Sequence, residues 1–325
     1  MMNSEIKNTS KAQSPSKTSI NTPNGIQTFG EPPSRTRSRM EARVIKKRDS
    51  RFKKFIKTPK GLVVAVLAVL MIIGSIYSRQ FNGLINAGAA FFTGLIVDLI
   101  IGKLRRNKRL LPDGAMISAL IISLVLSSNA PVWQAVIITL IALASKHILV
   151  FNRKPIFNPA AFGLLVSIYL FHSNQSWWGG LSLLPSWFLI VLLAGGFMIT
   201  KKVNKFPQVF AFLGVYYLFF DVIAFFHFRN IGGEVFRDPF INSALFLSLV
   251  MLTDPPTTPA KYKDQMVFGL ITAVVSVLDY TFLGGLSYLL IGLLVANAWK
   301  ASKSRSPQKK KQKAAKGNVR ERQLA

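Results

Sequence analysis

Three short polar stretches interrupt an otherwise apolar chain of 325 residues: Pro112-Asp113-Gly114, Phe157-Asn158-Pro159 and Thr253-Asp254-Pro255-Pro256-Thr257-Thr258-Pro259. Carboxylates, an amide and hydroxyls at such breaks either cap helices or line a binding site. As caps, Asp113 satisfies the orphan N–H groups of a helix over 114–127. Asn158 followed by Pro159 starts another helix, and Asp254 before two prolines stops a third. As a site, the open N-termini of short helices beside Lys146, His147, Arg153 and Lys154 make an anion-friendly pocket. Phe151, Phe157 and Phe162 add aromatic faces. A pocket of this make-up suits a planar ligand with a polar or phosphorylated tail.

The elements that must position these residues are apolar helices. Half of the residues are hydrophobic, 25 are Phe, and the mean hydropathy is +0.35, more than a soluble domain carries across its whole middle. A helix crosses the roughly 30 Å of hydrocarbon with about 20 residues, fewer when neighbours shield its ends. Ten spans are predicted, near 61–78, 82–102, 113–128, 131–150, 158–172, 182–200, 207–228, 238–252, 266–282 and 284–300. The short ones, 113–128, 158–172 and 238–252, are expected to be shielded by other helices. Asn129-Ala130-Pro131, Pro207, Pro239 and Gly284-Gly285 punctuate the series.

Charge tests the count. With the basic N-terminal tail in the cytoplasm and strict alternation, only Arg79, Arg229 and Arg237 fall on the far side, so 38 of the 41 Lys and Arg share one face. The positive-inside rule predicts this asymmetry, and a miscounted helix scrambles it. The reading is a multi-pass protein of the cell (plasma) membrane with both termini cytoplasmic. All three polar stretches then sit at the cytoplasmic ends of helices. Residues 1–60 and 301–325 read as disordered basic tails flanking a membrane domain over 61–300. The tails are expected to meet anionic lipid headgroups, and no nucleic-acid partner is expected, since they lack interleaved aromatics.

Other chemistry is bounded by what is missing. There is no cysteine, which removes disulfides and cysteine-ligated metals within the chain. No apolar segment of a secretory signal opens the sequence. His172 and His227 are lone histidines without carboxylates at ligand spacing, so no metal site is predicted. Metalloprotease, nucleophile-elbow and P-loop patterns are absent, and no catalytic residue is assigned. Asp98, Asp221 and Asp279 lie inside predicted spans, where ionisable groups are costly and mark ion pathways or interface positions. Asp221 is the deepest, and Asp221 and Asp98 are the candidates for an ion path.

The order of the motifs resembles a known family. Leu111-Pro112-Asp113-Gly114-Ala115, then Ser145-Lys146-His147 leading to Ile156-Phe157-Asn158-Pro159-Ala160-Ala161-Phe162-Gly163, then Met251-Leu252-Thr253-Asp254-Pro255 with Thr257-Thr258-Pro259, is similar to the NqrB/RnfD family. These are membrane subunits of the sodium-pumping NADH:quinone reductase and of the Rnf electron-transport complexes. The resemblance covers about residues 60–300 and implies an all-α polytopic fold of two five-helix inverted repeats. It also implies electron transfer through a flavin, coupling to ion movement, and a redox partner or complex subunits. The implied cofactor-binding residues are Asp113, Lys146, Asn158, Pro159, Phe162, Thr253 and Asp254. Family members with covalent FMN attach it to the Thr of an S-G-A-T-like motif after the fifth span. Here that loop reads His172-Ser173-Asn174-Gln175-Ser176-Trp177-Trp178-Gly179-Gly180, without such a Thr, so the expectation is FMN or riboflavin held non-covalently. Two other readings stand beside this one: a permease for a small planar or anionic solute, with Asp221 as its coupling site, and a membrane scaffold without redox activity.

Overall fold

The computed structural model describes residues 55–79, 81–104, 113–152, 154–226 and 235–304. Residues 1–54, 80, 105–112, 153, 227–234 and 305–325 and the Asp113 side chain lie outside the described residues, and with them the expectations for the two tails and for Pro112, Arg153, His227 and Arg229.

Ten apolar helices follow one another, with almost no sheet among the described residues. They are α1 (Pro59–Ser78), α2 (Phe81–Leu104), α3 (Asp113–Val125), α4 (Val132–Ile148) and α5 (Pro159–Phe171). The second five are α6 (Leu189–Val203), α7 (Phe206–Phe225), α8 (Asp238–Phe246), α9 (Tyr262–Phe282) and α10 (288–304). Helix α8 runs on through a π-helical turn, Leu247–Met251. Prolines at the first turns of α1, α5, α7 and α8 set these starts, where no intrahelical N–H is needed. Five helices are long and apolar enough to cross a membrane, and the shorter ones are apolar as well. The molecule is an all-α, multi-pass membrane protein.

Packing repeats between the two sets of five. Helix α1 packs on α3 and α2 on α4; likewise α6 packs on α8 and α7 on α9. Gly163 of α5 lies against Ile138 and Ala142 of α4, and Gly292 of α10 lies against Thr272 and Ser276 of α9, the same four-residue spacing on each partner. Small residues permit this close backbone approach, on which helix association in lipid depends. The short elements are the shielded ones: α3 and the π turn after α8 carry mostly buried residues. Exposed Ile72, Ile76, Phe92, Ile96 and Phe210 on α1, α2 and α7 form the apolar outer surface.

Several boundaries differ from the sequence expectation: α9 starts four residues early at Tyr262, α10 runs over 288–304 rather than 284–300, and two others have a visible cause. Helix α3 stops at Val125 because Leu126 turns extended and pairs with Gln175. The sixth span starts at Leu189, seven residues late, because the segment before it folds into two 3-10 turns, Trp178–Gly180 and Ser186–Phe188.

Candidate functional site

At the lysine-bearing end of the bundle, two of the three polar stretches meet. Asn158 caps α5 by accepting from the Ala161 N–H at 3.2 Å, as its sequence position predicts. Its amide Nδ2 donates to the Met251 carbonyl at 3.3 Å, so it also ties α5 to the π turn after α8. The Asn158 backbone N–H donates to Asn297 Oδ1 at 2.8 Å, and Asn297 Nδ2 donates to the Thr257 carbonyl at 3.2 Å. One buried amide on α10 thus joins the Asn-Pro turn to the Thr-Asp-Pro loop. Pro159 is buried at the first position of α5.

The loop over 252–261 is tied down along its length. The Thr253 hydroxyl donates back to Leu249 O at 2.9 Å, finishing the π turn. Asp254 accepts from the Thr257 hydroxyl at 2.8 Å, and the Asp254 carbonyl accepts from Thr258 at 2.7 Å. Gln208 of α7 donates to Leu252 O, Lys205 donates to Pro259 O, and Lys300 of α10 donates to Pro256 O at 2.8 Å. Gln265 Nε2 closes the end by donating to Asn204 O and Ala260 O. Burial raises the Asp254 carboxyl above its ordinary range, against the hydrogen bond from Thr257 and the pull of Lys300, Lys60 and Lys205. Burial also lowers Lys205 to about 8, helped by repulsion from Lys300 and opposed by Asp254.

Lys146 belongs to a neighbouring group. It lies in the last turn of α4, with Nζ 3.5 Å from Asp98 Oδ1 on α2 and His147 Nε2 4.0 Å from the same oxygen. The Lys146 amine also faces the start of α3, 3.0 Å from where a Cβ on Gly114 would stand. So Asp98, read as part of an ion path, and Lys146, read as a ligand contact, form one charged cluster beside the first turn of α3. Phe157 and Phe162 stack on each other, ring centroids 5.8 Å apart and 24° between planes, both partly buried. Asp221 lies apart, exposed on α7 four residues before its end.

The loop after α5 takes an unexpected course. Trp177 and Trp178 are buried in the bundle, and the Trp178 indole N–H donates to Ser123 O at 2.8 Å. The Trp178 ring fills the space over Gly74 of α1 and Gly83 of α2. Trp177 and Leu181 hold left-handed backbone, φ 51° and 62°, to make this fold-back. The loop between α5 and α6 is thus filled by its own two indoles.

Asn297 and Lys205 were not singled out from the sequence as site residues. The available signal for Asn297 was a lone amide in an apolar span; Lys205 reads only as one of several loop lysines.

With this geometry in view, comparison with known proteins gives one family. Residues 53–181 match the NQR2, RnfD, RnfE family model, which covers the Asp113, Lys146 and Asn158 motifs but not the Thr-Asp-Pro loop. No curated protein matches the chain.

Proposed function

We propose that this membrane protein of the NqrB/RnfD family carries electrons through a flavin, FMN or riboflavin, held non-covalently at the lysine-bearing end of its bundle. That end, with both termini, faces the cytoplasm, and a redox partner protein delivers or removes the electrons there. The observation that carries the reading is the meeting of the Asn158-Pro159 turn and the Thr253–Pro259 loop, 93 residues apart at the Asn158–Met251 hydrogen bond, next to aromatic and cationic groups. The amide of Asn158, the hydroxyl of Thr253 and the carboxyl of Asp254 are engaged with the protein itself. Their part is to set the position of α5 and of the loop.

The groups suited to a ligand are then Phe157 and Phe162, which offer ring faces, Lys146, and the N–H groups in the first turn of α3 that begins at Asp113. A bound flavin supplies one- and two-electron carriage. Around it, Lys146 neutralises negative charge and Asp98 balances Lys146, so that ion coupling is proposed at the Asp98–Lys146 pair rather than at exposed Asp221.

Purification of the full-length protein in mild detergent tests this. The expected result is an oxidised-flavin spectrum that dithionite bleaches, with flavin released by acid rather than retained on the chain. Phe162→Leu and Lys146→Met should weaken retention while the protein stays folded. Absence of flavin after supplementation with both FMN and riboflavin would sink the proposal.

A further inference from the structure

Where the turn between α6 and α7 meets the start of α9, an exposed basic patch adjoins an exposed aromatic surface. Asn204, in left-handed backbone (φ 54°), makes the turn, and its amide Nδ2 donates to the Tyr262 hydroxyl at 2.7 Å. Gln265 Nε2 donates to Asn204 O at 3.3 Å, so the turn and the first residues of α9 are joined twice. Lys201 and Lys202 end α6 on one side of this joint, and Lys261 and Lys263 begin α9 on the other. All four are exposed. The carboxylate nearest in sequence, Asp264, is held by Lys303 at 2.6 Å. None of the four lysines is in an ion pair among the described residues.

Helix stability does not account for the pair on α9. Cations suit the last turn of a helix, as Lys201 and Lys202 do. Lys261 and Lys263 stand instead at the positive end of a 21-residue helix, where negative charge is favoured. Four like charges on two adjoining turns repel, and an anion between them relieves both costs. Tyr262 adds a directed donor. Its oxygen accepts from Asn204, which leaves its own O–H free to donate outward, and the residue is 56% exposed.

The surface continues into the apolar bundle. Phe197, one turn before Lys201, has its ring centroid 5.4 Å from that of Phe206, which stacks on Phe210 at 5.8 Å. Lys201 Nζ lies 6.0 Å from the centre of the Phe197 ring, so the ammonium groups and the aromatic ridge are continuous. Phe197 and Phe210 are exposed, as is Met266, one turn past Tyr262 on α9. All three helices are long and apolar enough to cross a membrane. Lysines above aromatic and aliphatic surface fit a ligand with a phosphate at one end and hydrocarbon at the other. A soluble anion would use the lysines alone.

We infer that Lys201, Lys202, Lys261 and Lys263, with the Tyr262 hydroxyl, bind the phosphate of an anionic phospholipid whose acyl chain lies along Phe197, Phe206 and Phe210. Asn204 sets the site, because it fixes Tyr262 and accepts from Gln265, which also donates to Ala260 O at the end of the Thr-Asp-Pro loop. A bound lipid therefore steadies that loop together with the turn. The site is independent of any flavin.

The test uses the full-length protein in nanodiscs of phosphatidylcholine alone and with an equal share of phosphatidylglycerol, with the thermal midpoint read by tryptophan fluorescence. Phosphatidylglycerol should raise the midpoint by about 2–5 °C, the effect of a ligand at about tenfold its dissociation constant. The gain should vanish in Lys201→Gln/Lys261→Gln and shrink in Tyr262→Phe. The control Lys57→Gln/Lys103→Gln removes the same charge at the same end and should keep the gain; every substituted position is exposed. Native mass spectrometry should show phosphatidylglycerol retained by the wild type and the control and lost from Lys201→Gln/Lys261→Gln. Equal midpoints in the two kinds of disc overturn the site. A gain that survives in Lys201→Gln/Lys261→Gln does so too, as does one lost equally in the control, which marks a general effect of charge. An equal gain from inorganic phosphate or polyglutamate in phosphatidylcholine discs also overturns it, in favour of a soluble anion or an acidic protein.

Discussion

Asn297 is the residue on which the joining of the two motifs depends, and its replacement by Leu is the sharpest test of that arrangement. The change removes an acceptor from the Asn158 N–H and a donor from the Thr257 carbonyl, both buried contacts. Each stranded backbone group costs about 1–3 kcal/mol, so the loss is about 2–6 kcal/mol. Leu is the better helix former and fits an apolar helix, which works in the opposite direction by a few tenths of a kcal/mol. A destabilisation therefore cannot come from α10 itself. For a chain of this size it lowers the melting midpoint by roughly 5–15 °C, read from tryptophan fluorescence during thermal unfolding in detergent. Asn297→Asp keeps the acceptor for Asn158 and loses the donor for Thr257, so it should fall between Leu and wild type. A midpoint for Asn297→Leu within about 2 °C of wild type would show that the amide does not join the motifs, because one unsatisfied buried group alone exceeds that.

Two further outcomes follow from the same geometry. Lys205 titrates at about 8 in the folded chain against 10.5 when free, so between those values the unfolded chain holds a proton that the folded one has released. Stability therefore rises with pH across that window and carries its full penalty below it; the limit is about 3 kcal/mol, and about half of that after solvent screening. Lys205→Met should flatten the rise in melting midpoint over this range, and an unchanged slope would refute the assignment. At the other end of α2, a side chain on Gly83 meets the Trp178 ring at 2.8 Å, whereas one on Gly88 meets nothing within 4 Å. Gly83→Val should lower the midpoint and the folded yield, with Gly88→Val near wild type; equal behaviour of the two would mean that Trp178 does not pack there.

The ten helices were legible because each break in the apolar pattern carries its own chemistry. Pro159, Pro207 and Pro239 stand in the first turns of α5, α7 and α8. Asn158 was legible as a cap, since capping is a local matter of spacing. Its tie to Met251 was not, because nothing within a few residues of either indicates a partner 93 positions away. The late start of α6 was hidden for a different reason. Trp177 and Trp178 read as apolar residues between spans, and only the tertiary contact with Gly74 and Gly83 turns them inward. Phe157 and Phe162 illustrate a third limit: the sequence offered both as ring faces, and only the fold shows that each turns one face to the other, so that the proposed ligand contact falls to their remaining faces.

The repeated packing of the two halves gives these contacts a common logic. In the first half, the buried amide of Asn86 on α2 donates to Ser128 O and Ala130 O, in the break that follows α3. In the second, the buried amide of Gln208 on α7 donates to Leu252 O, in the break that follows α8. The second helix of each half thus secures the break after the third. The odd number of helices per half puts the two breaks at opposite ends of the bundle, so the same device serves both ends. It is needed because a helix that stops within the bundle leaves carbonyls with neither water nor a next turn to satisfy them. Asn158 and Asn297 belong to no such pair within a half. They run between α5 of the first half, the loop of the second and α10, and they act only at the lysine-bearing end. A fold that needed only to close its own breaks would be complete without them. The additional cross-half joint fixes the Asn-Pro turn against the Thr-Asp-Pro loop at the end where Lys146 and the stacked phenylalanines also gather, and the proposed flavin site rests on that asymmetry.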